Sequence, residues 1–265
     1  MTANEKFSKL VEVMRKLRAP DGCPWDREQT HESIRPYCLE EAYEVVEAID
    51  EGDMARLKDE LGDLLLQVVF HAQMASERSA FTIDDVADAI VQKLIRRHPH
   101  VFRRADGDQV SSAGEVLERW AKIKKKEEGR ENVLDGIPTA LPSLLRAARI
   151  GEKAATVGFD WKSAADVWKK VEEELAETKA VGSDPAKLEE EFGDLLFALS
   201  NLARHLHLDA ESATRMAVQK FERRFRWMEQ QSRVEGKDLA YRTAEELDSL
   251  WNRAKRETAP PRTGR

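Results

Sequence analysis

The sequence predicts an all-α fold, and three observations lead to that prediction. Apolar residues recur with helical spacing through most of the 265 residues, and glycines and prolines stand mainly between the periodic segments. No segment alternates between apolar and polar residues as a half-buried strand does. Several segments also begin with residues that cap helix N-termini. We therefore expect helices joined by short connections.

Ten helices are predicted in chain order, five in each half of the sequence. Their bounds are, approximately, 4–18, 31–50, 54–78, 83–97, 112–128, 143–155, 163–180, 185–207, 210–235 and 244–257. Thr82 with Asp85 forms a capping-box pair, and Asp184 followed by Pro185 is an N-cap with proline at the first helical position. Pro99 is expected to end the fourth helix.

The two halves are predicted to be two copies of one unit, because corresponding residues recur at offsets of 127 to 133 residues, with small insertions and deletions between the helices. Glu60 and Asp63 correspond in this way to Glu191 and Asp194. The predicted organisation is a helical domain at 1–130, a linker at 131–142, a second helical domain at 143–257 and a disordered tail at 258–265.

Composition narrows the class of protein. A net charge of -7 argues against a protein that binds nucleic acid, and two cysteines do not make a disulfide framework. The N-terminus lacks the apolar core of a signal peptide, and the longest apolar run, 64–70, is too short to cross a bilayer. We expect a cytoplasmic protein that binds neither nucleic acid nor membrane.

Two related segments set acidic residues against leucine-rich helices. KDELGDLLLQVVFHAQ begins at Lys58, and EEEFGDLLFALSNLAR begins at Glu189. A helix that is apolar in all directions is typically buried, so the carboxylates are expected to face packed protein, where unpaired charges are costly. Gly62 and Gly193 each cost about 1 kcal/mol relative to alanine in a helix interior. This cost predicts the close approach of a neighbouring helix or ligand.

The preceding helix in each half adds an E-E-x-x-E stripe. In the first half, a short turn would bring Glu41 and Glu44 next to Glu60 and Asp63. Four like charges repel strongly, so a divalent cation is the natural counter-charge. Oxygen ligands favour a hard ion, and Mg²⁺ is therefore expected, with Mn²⁺ as an alternative.

Other interpretations of these acids fit the sequence less well. An E-E-x-x-E stripe alone is typical of a solvated helix face, but its duplication beside an apolar E-x-x-D helix favours a site. A di-iron bundle would need Glu three residues before a histidine, and His71, His205 and His207 lack it. The sequence also has no P-loop motif.

The paired E-E-x-x-E and E-x-x-D motifs resemble those of the MazG family of all-α nucleoside triphosphate pyrophosphohydrolases. The segments GCPWDREQT, KLIRRHPHVF, VGFDW and KFERRFR add to the resemblance, which covers nearly the whole chain. It implies Mg²⁺-dependent hydrolysis of a nucleoside triphosphate to monophosphate and pyrophosphate. It also implies a homodimer in which helices from both subunits build each bundle.

The resemblance also implies roles for individual residues. The metal ligands would be Glu41, Glu44, Glu60, Asp63, Glu174, Glu177, Glu191 and Asp194. The catalytic residues would be Glu173, Glu174 and Glu191, with Glu40 the first-half counterpart of Glu173. The triphosphate and nucleotide contacts would be Lys170, Lys220, Arg224, Trp251 and Lys255, with Lys93, Arg97, Trp120 and Lys124 as counterparts in the first half.

The leading hypothesis is a pyrophosphohydrolase of broad base specificity that cleans the nucleotide pool. The second half is favoured as the active copy, because its basic helix continues well beyond Arg224 whereas Pro99 ends the first. One alternative is an enzyme with a single narrow substrate. Another is a non-catalytic acidic helical scaffold that binds metal or a basic protein partner. The sequence does not identify a regulatory protein partner.

Overall fold

The computed structural model describes residues 2–102, 112, 114–116, 119 and 132–259. Within this part of the chain the secondary structure is helical and contains no strand, which confirms the predicted all-α class. The chain forms two compact units, Met1–Glu128 and Gly129–Arg265. Most of the predicted helix at 112–128 and of the predicted tail at 258–265 lies outside the described residues.

The described residues form eleven α-helices and one short 3₁₀-helix, Leu239–Tyr241. In the first unit the helices are α1 (Ala3–Leu17), α2 (Pro24–Glu28), α3 (Arg35–Glu51), α4 (Met54–Glu77), α5 (Ile83–Arg97) and α6 (Pro99–Phe102). In the second unit they are α7 (Ser143–Ala155), α8 (Ala164–Ala180), α9 (Pro185–His205), α10 (Ala210–Val234) and α11 (Ala244–Glu257).

The helix termini follow the predicted signals. Thr82 and Asp85 form the expected capping box at α5, and Asp184 caps α9 with Pro185 in its first turn. The helix predicted from residue 31 begins at Arg35 instead, because Thr30 and Ser33 exchange side-chain hydrogen bonds in a preceding turn. The short helices α2 and α6 were not predicted, since segments of four or five residues contain too little periodicity.

In the first unit, α4 is the central helix. It packs against α1, α3 and α5, and its core residues include Val69 and Phe70. Only two residues join α3 to α4. Gly52 ends α3 with a left-handed φ of 70°, and the Asp53 side chain accepts hydrogen bonds from the first N–H groups of α4. This tight turn places the acidic face of α3 beside the start of α4.

In the second unit, α9 has the corresponding position and packs against α7 and α8. Val167 and Val171 of α8 meet Leu195 and Leu202 of α9 in a buried core. A second core joins α10 and α11; it consists of Met228, Leu250 and Ala254, with Trp227, Leu239, Leu247 and Trp251 packed around it.

Within this chain α4 and α9 are not buried on all sides, and their burial by a second copy stays a prediction. Leu61 on α4 is 49% exposed and Phe192 on α9 is 52% exposed, and other exposed apolar residues on the two helices are Leu65, Val68, Leu188, Leu196, Phe197 and Leu199. The neighbouring helices cover only part of each surface. None of the described helices is both long enough and apolar enough to span a bilayer.

Candidate active site

Each unit gathers three carboxylates from two adjacent helices. In the first unit Glu41 of α3 meets Glu60 and Asp63 of α4, and one oxygen from each lies within 4.8 Å of the other two. The second unit repeats this arrangement within the same limit of 4.8 Å, using Glu174 of α8 together with Glu191 and Asp194 of α9. Six of the eight predicted metal ligands therefore come together in two groups of three.

The remaining two predicted ligands lie one helical turn further along and are not members of these groups. Glu177 is exposed on α8. Glu44 is half-buried on α3, and its charge helps to raise the pKa of Glu41. The roles assigned to Glu44 and Glu177 stay predictions.

The surroundings of these carboxylates are more open than expected. Asp63 and Asp194 are exposed rather than directed into packed protein. A Cβ atom built on Gly62 or Gly193 would meet nothing within 4 Å in this chain, so no described helix of the same chain makes the expected close approach. The approach of a ligand or of a partner's helix stays a prediction. The two glycines instead leave open space on the helix that carries the acids.

Glu174 is the most constrained member of either group. It is only 5% exposed, and one carboxylate oxygen accepts a 2.7 Å bond from the Lys170 ammonium. Its other oxygen, Oε2, is buried and has no hydrogen-bond partner. A buried carboxylate oxygen without a partner is costly, and a cation beside Glu191 and Asp194 would satisfy it. The donor set, which consists entirely of carboxylate oxygens, fits a hard divalent ion.

Glu41, the counterpart of Glu174 in the first unit, has a different protein partner. The Gln67 amide donates to Oε1 of Glu41 over 3.5 Å. Burial raises the pKa of Glu41, as do the charges of Asp63 and Glu44, and the Gln67 hydrogen bond partly offsets this effect. Ala198 occupies the position of Gln67 in the second unit and offers no such hydrogen bond. The two acidic groups are therefore similar in geometry but differ in their partners.

Lys170 lies directly against the second acidic group. Its ammonium is 2.7 Å from oxygens of both Glu173 and Glu174, and these hydrogen bonds raise the pKa of Lys170 above its usual value. Glu173, predicted to be catalytic, is exposed next to the buried Glu174. A lysine with one exposed partner is placed to exchange that partner for another anion.

Three of the predicted nucleotide contacts also come together, on α10 and α11. The Arg224 guanidinium lies 5.6 Å from the centre of the Trp251 ring, and the Lys255 ammonium lies 5.9 Å from it. Phe221 packs against the same indole at 5.1 Å between ring centres. Arg224 Nε is buried without a hydrogen-bond partner, and Lys220 is exposed one turn earlier.

The first-unit counterparts of these contacts are only partly described. Lys93 is exposed on α5 and Arg97 is half-buried at its end. Trp120 and Lys124 lie outside the described residues.

Arg56 was not predicted to belong to the site. Its guanidinium pairs with Glu47, Glu51 and Glu60, the last of which belongs to the first acidic group. The spacing of four residues between Arg56 and Glu60 was visible in the sequence. The contact with Glu47 depends on the packing of α3 against α4.

Comparison with known proteins agrees with this geometry. Residues 29–102 and 164–228 match the MazG nucleotide pyrophosphohydrolase domain, and these segments contain both acidic groups. The chain is 51% identical over 251 residues to the nucleoside triphosphate pyrophosphohydrolase/pyrophosphatase MazG of Thermotoga maritima, covering 94% of this chain and 95% of the relative.

Two further similarities involve a bacterial enzyme and a solved structure. The nucleoside triphosphate pyrophosphohydrolase of Escherichia coli K12 is 47% identical over 260 residues, which cover 95% of this chain and 98% of the relative. The crystal structure of a mazG-related protein from Thermotoga maritima covers 44% of this chain and 98% of its own, with 28% identity and a TM-score of 0.38. The family match and the two full-length relatives confirm the predicted assignment: this chain belongs to the MazG family.

Proposed function

We propose that this protein hydrolyses nucleoside triphosphates to nucleoside monophosphates and pyrophosphate, mainly in its second unit. The observation that carries the proposal is the buried Glu174, whose Oε2 lacks a partner while Glu191 and Asp194 lie within 4.8 Å. The names of the two full-length relatives support the reaction, since both are called nucleoside triphosphate pyrophosphohydrolases.

The acidic groups are suited to hold Mg²⁺, or Mn²⁺ in its place. Glu174, Glu191 and Asp194 would hold the ion in the second unit, with Glu177 as a further ligand one turn away. Glu41, Glu60 and Asp63 would do so in the first unit, with Glu44 in the equivalent place. Such an ion, when bound, lowers the pKa of a coordinated water and neutralises charge on phosphate oxygens.

The protein's own side chains would bind and orient the triphosphate. Lys170 can pass from the exposed Glu173 to a phosphate oxygen, which would leave Glu173 able to accept a proton from water. Lys220 and Arg224, four residues apart on α10, can offset charge that develops on the departing pyrophosphate. Trp251 presents an indole on which any base could stack, and this favours broad base specificity.

The exposed apolar faces of α4 and α9 support a homodimer. Leu61, Leu65 and Val68 on α4, like Phe192 and Leu196 on α9, form apolar stripes close to the acidic groups. Soluble proteins seldom leave such surfaces in water, and a second copy of this chain would cover them. A broad pyrophosphohydrolase of this kind fits a role in cleaning the nucleotide pool of unwanted triphosphates.

A panel of ribo- and deoxynucleoside triphosphates with Mg²⁺, followed by ³¹P NMR, tests this function. The expected products are the monophosphate and pyrophosphate from several members of the panel. Turnover of a single triphosphate would favour the narrow-substrate alternative. Metal binding without any turnover would favour the non-catalytic scaffold. Release of a nucleoside diphosphate and inorganic phosphate would contradict the proposed bond cleavage.

A further inference from the structure

Arg56 connects the first acidic group to carboxylates outside it. Its Nε donates to Oε1 of Glu60 over 3.2 Å, while its terminal nitrogens lie 2.8 Å from Glu51 and 2.6 Å from Glu47. Glu60 is well shielded, with a side chain only 15% exposed. An arginine guanidinium is protonated at every pH at which proteins are folded. The guanidinium therefore remains charged beside a candidate metal ligand.

Among the described residues of the second unit, no arginine is held by three carboxylates in this way. The position of Arg56 is taken by Lys187, whose exposed side chain forms no ion pair with Glu191 in the described part of the unit. The position of Glu47 is taken by Ala180, which is the last residue of α8, so α8 has no residue in the place of Glu51. This arrangement is therefore specific to the first unit, because the second unit has neither an arginine in the place of Arg56 nor glutamates in the places of Glu47 and Glu51.

The positively charged side chain beside the acidic group of the second unit, Lys170, is held differently. Lys170 pairs with Glu173 and Glu174, both on its own helix, and Glu173 is exposed. An ammonium with two partners can turn towards a phosphate. Arg56, by contrast, is held by carboxylates from both α3 and α4, and a planar guanidinium with several directed hydrogen bonds is harder to displace.

We propose that Arg56 is a built-in counter-cation that lowers the affinity of the first unit for divalent metal, so that the two units load metal at different concentrations. This inference rests on the proposed function, because it assumes that both acidic groups are metal sites. The physical reason is that the guanidinium occupies one oxygen of Glu60 and repels an ion bound to the other. Near a protein surface, after screening by salt, the repulsion corresponds to a change in affinity on the order of tenfold.

The test measures Mn²⁺ binding to the full-length protein by electron paramagnetic resonance of the free ion. Glu191→Gln and Asp194→Asn are introduced together, so that only the first unit retains its three carboxylates. Arg56→Gln is then added, and it should tighten Mn²⁺ binding about tenfold, with a smaller gain at high ionic strength. Arg56→Met, which keeps much of the aliphatic stem, should tighten binding by a similar factor.

Lys58→Gln is the matched control, because it removes one positive charge from the same helix. Lys58 is exposed and pairs with Asp59 rather than with the acidic group. The affinity of the Lys58→Gln variant for Mn²⁺ should differ from that of its parent by less than about twofold. Unfolding curves of all the variants establish that each is folded at the temperature of the titration.

The possible outcomes separate the inference from the proposed function. Equal affinities for the Arg56 variants and the Lys58 control, or weaker binding without Arg56, would overturn the inference. The opposite double variant, with Glu60→Gln and Asp63→Asn, measures Mn²⁺ binding to the second unit alone. If it binds Mn²⁺, the proposed metal site stands whatever the Arg56 variants do. If neither unit binds Mn²⁺ in any variant, both proposals fail.

Discussion

Replacing Glu174 by glutamine tests the assignment of the second acidic group as a metal site. Glutamine has nearly the same shape, so the substitution removes a charge without opening a cavity. The carboxylate lies beside Glu191 and Asp194 and bonds to Lys170 through one oxygen. We expect the metal-free protein to keep its stability and the metal-dependent part of the stability to disappear.

The magnitude follows from the separations of the charges. Two unit charges that lie within 4.8 Å of each other repel by about 1 kcal/mol in water, so relief from two neighbours contributes about 2 kcal/mol. Loss of the attraction to Lys170 costs about 1 kcal/mol, since Lys170 keeps Glu173 as a partner. The metal-free variant should therefore be as stable as the parent or up to about 1 kcal/mol more stable.

The assay compares thermal melts with and without Mn²⁺. A metal at 100 times its dissociation constant stabilises a folded protein by about 2.7 kcal/mol, which raises the melting temperature of a unit of this size by roughly 5–10 °C. Glu174→Gln should lose most of that increase, whereas Glu172→Gln, an exposed change on the same helix, should retain it. An unchanged increase in the Glu174 variant would refute its role as a ligand.

Three further predictions concern the second unit. Asp160 accepts two hydrogen bonds from Arg204, and these bonds hold the pKa of Asp160 well below its usual range. They stabilise the folded protein by about 1–3 kcal/mol. This stability is present at neutral pH and is lost progressively as pH falls below about 4. Melts of Asp160→Asn and the parent should therefore differ most at neutral pH, and the difference should shrink progressively as pH falls from about 4 towards the depressed pKa of Asp160. A difference independent of pH would contradict this cause. Trp251→Ala should weaken binding of a non-hydrolysable triphosphate by about 1–3 kcal/mol for every base. The control Leu250→Ala, a change in the adjacent core, should lower the stability of the protein but not the affinity per folded molecule. Phe192→Asp should convert the proposed dimer to a monomer in sedimentation experiments, and a parent chain that is already monomeric at micromolar concentration would refute the dimer.

The acidic groups could be predicted because their geometry is local. The E-E-x-x-E and E-x-G-D spacings set positions on two helices, and Gly52 with Asp53 forces those helices into a tight turn. The capping pairs fixed several helix termini in the same way, through contacts within four residues. These features are determined by residues within one or two consecutive helices, so they can be predicted from the sequence without knowledge of the tertiary packing.

The burial of α4 and α9 could not be predicted, because an apolar face has the same sequence whether its own chain or a partner covers it. Leu61 and Leu196 illustrate this, since both lie on helices that were expected to be buried and both are exposed in this chain. The difference between the two acidic groups was also missed. It depends on Gln67 reaching Glu41 and on Arg56 reaching Glu47, and both contacts join α3 to α4 through tertiary packing.

Release of pyrophosphate by two matched variants, Glu191→Gln and Glu60→Gln, tests the central claim most directly. Each removes one carboxylate from the equivalent position of one acidic group. With Mg²⁺ and a nucleoside triphosphate, Glu191→Gln should abolish pyrophosphate release, and Glu60→Gln should retain most of it. Parent-level turnover in Glu191→Gln, or loss of activity only in Glu60→Gln, would contradict the assignment of the reaction to the second unit.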